Sequence, residues 1–226
     1  MPVPVVASGP KNQTREITMS HNPANLPAEI QGQLFPATAM PDSDWWHTLW
    51  PNPDAVVKTL RITSGMRVVD LGCGNGYFTA AIARCMPPGR VIGIDLDPVM
   101  LEEAQAACAG FAHCDWQLGN AMEVGDLACG PVDYVLMANT FHGVPDKTQL
   151  ARAVATILSP GGYFAIVNWY PVAREETQVL GQPRGPRTEL RLSPETTQAA
   201  VEAGGFVREA LIPLPPYHYG LLFRKA

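Results

Sequence analysis

Residues 66–76 read Met-Arg-Val-Val-Asp-Leu-Gly-Cys-Gly-Asn-Gly, and residues 90–95 read Arg-Val-Ile-Gly-Ile-Asp. Both are apolar runs that end in an acid, and the first opens into glycines at every second position. Short apolar runs bounded by turn residues predict buried strands, and the helical stretch between them completes a βα unit. Glycine has no Cβ, so such a loop can take unusual φ/ψ values and let a ligand approach the backbone. In an open parallel sheet, Asp70 and Asp95 would stand at the carboxyl ends of neighbouring strands, beside the crevice where ligands bind. The pattern predicts a nucleoside-binding half-site.

The rest of the chain continues the alternation. Strands are predicted at 67–71, 91–94, 115–118, 132–138 and 163–168, and helices at 54–60, 77–86, 99–109, 146–158 and up to 203 from a cap at Ser193. Two final strands, near 206–212 and 218–224, are joined through prolines and are expected to be antiparallel. The order predicts an α/β fold, a three-layer α/β/α sandwich around a mostly parallel sheet. Residues 1–52 read as an N-terminal arm or cover, because 1–40 lack periodicity and an aromatic cluster follows at Trp45, Trp46, His47 and Trp50. Residues 53–226 form the domain, interrupted at 169–192 by a Pro-, Arg- and Gly-containing segment expected to be a substrate loop.

Composition narrows the function classes. A net charge of −5 over 226 residues, with scattered Lys and Arg, gives no basic face, so no nucleic-acid partner is expected. Cys73, Cys85, Cys108, Cys114 and Cys129 show neither paired nor metal-finger spacing, which predicts reduced thiols and no metal site. No signal-like start or membrane-spanning run is visible, so the chain reads as soluble and cytoplasmic, without a membrane partner. Nothing in it fixes an oligomeric state.

A dinucleotide fingerprint would need a third glycine where Tyr77 stands. The pattern is instead Asp-x-Gly-x-Gly-x-Gly from Asp70 to Gly76, and it resembles that of the class I S-adenosylmethionine-dependent methyltransferases over roughly residues 53–226. The resemblance implies seven strands in the order 3-2-1-4-5-7-6, the last antiparallel. It implies S-adenosylmethionine as cofactor, with Gly72, Gly74 and Gly76 beneath its methionine portion and ribose. Asp70 would anchor the amino group, Asp95 the ribose hydroxyls, and Leu96 one face of the adenine. Asn120 and Ala121 stand where the family usually carries an acid for the adenine amino group; the Asn120 amide oxygen can accept in its place.

Asn139-Thr140-Phe141-His142 follows the fourth strand, beside the cofactor. It lacks the Pro-Pro-aromatic form of members that act on nucleobase or glutamine nitrogen, and is similar to small-molecule members such as those of quinone biosynthesis. His142 is the candidate catalytic base, with a packing or capping role as the alternative. Trp45, Trp46, Trp50, Trp169 and Tyr170 are candidates for an acceptor pocket, or equally for fastening the arm to the core. Arg174, Arg184 and Arg187 could attract an anionic acceptor or remain solvated. The implied function is methyl transfer to a small molecule by in-line displacement. The alternatives are a non-catalytic cofactor-binding or interaction protein, and a methyltransferase acting on protein or RNA.

Overall fold

The computed structural model describes residues 26–127 and 130–226. Residues 1–25 of the predicted arm, and Cys129, lie outside the described residues. Five parallel strands form one side of the sheet: β1 (Arg67–Leu71), β2 (Arg90–Asp95), β3 (Cys114–Leu118), β4 (Val132–Ala138) and β5 (Leu158–Trp169). A two-stranded ribbon, β6 (Gln178–Val179) with β7 (Gln182–Pro183), interrupts the chain before β8 (Phe206–Leu214) and β9 (His218–Lys225). The main sheet runs β3-β2-β1-β4-β5-β9-β8, with β9 antiparallel to both neighbours. This is the expected topology, in which the last main-sheet strand inserts beside β5.

Central strands of a parallel sheet are covered on both faces and therefore read as continuous apolar runs. Val68, Val69 and Leu71 of β1 are fully buried, and their alternation divides two cores. On one face Val69 and Leu71 join Ile92, Val135 and Met137 beneath α6 (Lys147–Ile157). On the other, Val68, Val91 and Leu136 pack with Ile82 and Ala83 of α4 (Tyr77–Cys85) and with the tryptophans.

Helix starts follow the capping chemistry of the sequence. The α3 helix (Pro53–Thr59) begins at Asn52, whose side chain accepts from the Ala55 N–H. Asp97 caps α5 (Pro98–Ala107) and Ser193 caps α7 (Pro194–Glu202) in the same way, each followed by proline.

Three local readings differ from expectation. The aromatic cluster is itself helical, α2 (Ser43–Leu49). The fifth strand does not begin at 163; β5 starts directly after α6 at Leu158, and a register shift between Val132 and Tyr134 absorbs residues 159–162. The segment after β5 is ordered by a buried arginine. Arg191 donates to the carbonyls of Pro186, Val172 and Arg184 and to the Thr177 hydroxyl.

Gly76 also has a role other than the expected one. It stands at φ 82° at the start of α4, and a Cβ there would lie 2.8 Å from Ala104 Cα of α5. It serves helix packing and is absent from the cavity lining described below. Gly76→Ala should therefore lower stability by roughly 2 kcal/mol or more, through positive-φ strain added to overpacking. A urea unfolding midpoint unchanged from wild type would contradict this placement.

Candidate functional site

The loops after β1, β2 and β3 are attached to the end of β2. The Ile94 carbonyl accepts from Gly72 N at 2.8 Å and from Cys73 N at 3.0 Å, and the Asp95 carbonyl accepts from Gly119 N at 2.9 Å. The Asp95 side chain adds two further bonds, accepting from Gly74 N at 2.8 Å and from Asp97 N at 3.0 Å. The glycines make this geometry available: Gly72 and Gly74 have φ of 74° and 54°. A Cβ on Gly72 would meet the Thr140 side chain at 3.2 Å, and one on Gly74 would meet Met40 Sδ at 3.1 Å.

Above these strand ends lies a cavity of about 540 Å³. Its floor brings together Asp70, Gly72, Gly74, Asp95, Leu96, Asn120, Ala121, Asn139 and His142 of the predicted set. Trp45, Trp46 and Trp169 line it as well. Trp50 and Tyr170 do not: Trp50 is buried between Phe78 and His218, and Tyr170 packs on Tyr219. Arg174 and Arg184 reach the cavity, whereas Arg187 is exposed and pairs with Glu189.

The sequence reading missed part of the wall. Gln33, Leu34, Phe35 and Met40 of the arm line the cavity, as do Tyr77 and Phe78. The arm carries no periodic signal by which these positions could have been found. In sequence Tyr77 stands out only as the residue in place of a third glycine.

The polar groups are unevenly satisfied. Asp70 is buried and accepts from the Thr79 hydroxyl at 2.5 Å. Burial pushes its carboxyl up to about 7, against the Thr79 hydrogen bond, and the nearby Asp95 charge raises it further. Burial also raises Asp95, opposed by the Asp97 and Gly74 N–H groups. The Asn139 backbone is left-handed at φ 60°, and both amide atoms of its side chain are buried without a partner.

Asn120 departs from the expected arrangement. Its amide oxygen accepts from Met122 N, capping a short 3₁₀ turn, and its NH2 donates to Gln33 Oε1 of the arm. One lone pair of that oxygen is thus already engaged. His142 is nearly buried, with Nε2 3.0 Å from the Ala37 carbonyl. A carbonyl only accepts, so Nε2 carries the proton and Nδ1 is the basic nitrogen, buried without a hydrogen-bond partner. Burial holds the imidazole below its usual range, keeping it neutral near pH 7.

Cys73, Cys85, Cys108 and Cys114 are free thiols, and only Cys73 reaches the cavity. Among the described residues, no group of three or more His, Cys, Asp and Glu side chains is placed to hold a metal, and no helix is long and apolar enough to cross a membrane.

Comparison with known proteins agrees with this architecture. A family defined as a methyltransferase domain matches residues 62–198, more than half of the chain, and the chain belongs to that family. A ubiquinone biosynthesis O-methyltransferase from Xanthomonas euvesicatoria pv. vesicatoria is 29% identical over 141 residues, 57% of this chain and 58% of that protein. A demethylmenaquinone methyltransferase from Staphylococcus aureus is 30% identical over 117 residues, 51% and 47% of the two chains. The chain thus spans about half the length of these relatives. In three dimensions, a SAM-dependent methyltransferase from Aquifex aeolicus superposes with a TM-score of 0.71 at 19% identity, covering 91% of this chain and 100% of that one. At that identity the likeness concerns the fold.

The Asp70 shift has a measurable consequence. The folded protein holds a proton on this group between about pH 4 and 7, where the unfolded chain has released it. Its contribution to stability is therefore present at low pH and lost as pH rises towards 7. From pH 7 to 5, wild type should gain roughly 1 kcal/mol per pH unit relative to Asp70→Asn. Parallel pH dependence of the two urea-derived stabilities would remove Asp70 as a raised carboxyl.

Proposed function

We propose that this chain transfers a methyl group from S-adenosylmethionine to a small-molecule acceptor by in-line displacement. The observation that carries the reading is the Asp95–Gly74 bond, which fixes a carboxylate against a glycine loop on the floor of the cavity. Each Asp95 oxygen takes one backbone N–H and keeps a lone pair, so the group can accept from two ribose hydroxyls without reorienting. Asp70 suits the cofactor's ammonium, because a positive charge beside a buried carboxyl favours its ionised form. Leu96 and Met100 offer apolar surface to the adenine, with Asn120 and Gln33 at the polar edge.

When bound, S-adenosylmethionine supplies a methyl carbon already activated by its positive sulfur. The protein then has to orient the acceptor and exclude water, and positioning alone can be worth about 7 kcal/mol or more. Residues before 53 act as the cover of a domain formed by 53–226: positions 33–41 and the α2 tryptophans lie on the cavity. The segment 169–192 supplies the acceptor wall through Trp169, Arg174 and Arg184. His142 is the candidate base for an acceptor that needs deprotonation; its Nδ1 is buried and unbonded, so this role requires the ring to turn toward the acceptor. The relatives named for quinone biosynthesis support a small acceptor.

Isothermal titration with S-adenosylmethionine and its demethylated product tests the cofactor assignment. Asp95→Ala should weaken both by about 10- to 100-fold, the range for losing hydrogen bonds to a charged group. Unchanged affinity would strike Asp95 from the ribose site. His142→Ala should lower turnover by roughly 100-fold or more with cofactor affinity nearly constant; wild-type turnover would leave His142 only its contact with Ala37.

A further inference from the structure

The cavity is divided by charge. Asp70, Asp95 and Asp97 line the strand ends, while the segment after β5 contributes Arg174 and Arg184 among Trp169, Gly185 and Pro186. Neither guanidinium has a carboxylate partner among the described residues. Arg174 Nε donates to the Gly185 carbonyl at 3.0 Å. The Arg184 guanidinium lies over the Trp45 ring, 5.2 Å from its centroid, with Nε buried and unbonded.

The other arginines nearby are accounted for, since Arg187 pairs with Glu189 at the surface and Arg191 spends its donors on the loop itself. Leaving a charged donor buried without an acceptor is costly, and an anionic ligand at Arg184 would offset that cost.

The loop is built to present Arg184. Its carbonyl accepts from Arg191 Nη2 at 3.0 Å and from the Thr177 hydroxyl at 2.8 Å, and its N–H donates to the Thr177 carbonyl at 2.9 Å. The backbone is therefore fixed independently of the side chain. A guanidinium resting on an indole face keeps its N–H edge free, and that planar fork matches a carboxylate. Trp45, Trp46 and Trp169 make the adjoining surface flat and apolar.

We propose that the methyl acceptor is a flat, apolar carboxylic acid whose carboxylate is received by Arg184, with Arg174 beside it. The same two charges oppose a cationic amine acceptor. This rests on the methyl-transfer reading for the word acceptor, whereas carboxylate recognition itself stands on the arginines.

The test uses the full chain saturated with S-adenosylhomocysteine, titrated with trans-cinnamate, 4-hydroxybenzoate and 1-naphthoate and with the primary amide of each. At least one acid should bind about tenfold or more tightly than its amide. Arg184→Gln should reduce that preference below about twofold while leaving S-adenosylhomocysteine affinity unchanged, and Arg187→Gln should retain it. The proposal is overturned if no acid outbinds its amide, or if the preference survives Arg184→Gln. Failure of wild type to bind S-adenosylhomocysteine would count against methyl transfer instead, and the same titrations without it then decide the arginine proposal alone.

Discussion

The end of β2 holds the site together. Two consecutive residues there, Ile94 and Asp95, receive the backbone N–H groups of Gly72, Cys73, Gly74, Asp97 and Gly119. These bonds bring the loops after β1, β2 and β3 to one point, which the sheet ladder alone would not do. Hydrogen bonds to a charged acceptor contribute more than neutral ones, and those of Asp95 are partly buried. The glycines follow from this constraint. A loop that must direct the Gly74 N–H at Asp95 while passing over Thr140 needs positive φ at Gly72 and Gly74.

The fold was legible because its signals are local and repeated. The apolar runs of β1, β2 and β4, and the Asp-Pro and Ser-Pro starts of α5 and α7, each specify an element without reference to the rest. The positions of Asp70 and Asp95 on the cavity were legible for the same reason, since a strand-terminal acid stands at the carboxyl edge of a parallel sheet. Exceptions arose where a residue has two possible neighbours. Gly76 belongs to the glycine motif by spacing, yet its α-carbon faces Ala104. Trp50 sits four residues after helical Trp46 but turns inward on Phe78 and His218.

The part of the cavity wall after β5 was the least legible. Arg191 shows nothing in sequence to distinguish it from Arg187, although one organises a loop and the other is solvated. The difference comes from tertiary placement, where carbonyls of Val172, Arg184 and Pro186 converge. The same holds for the arm, whose Gln33 and Met40 reach Asn120 and Gly74 across more than thirty positions of sequence. Loops and covers of this kind vary while the scaffold stays constant, so one sheet can serve different acceptors.

The central claim is a location: a ligand held between the β1, β2 and β3 loops and beneath the arm. Hydrogen exchange of the full chain with and without S-adenosylhomocysteine measures it directly. The account predicts slowed exchange in residues 33–41, 70–77, 95–100 and 119–122, with the outer strand β8 unchanged. Protection confined to other segments, or none at saturating ligand, would contradict it.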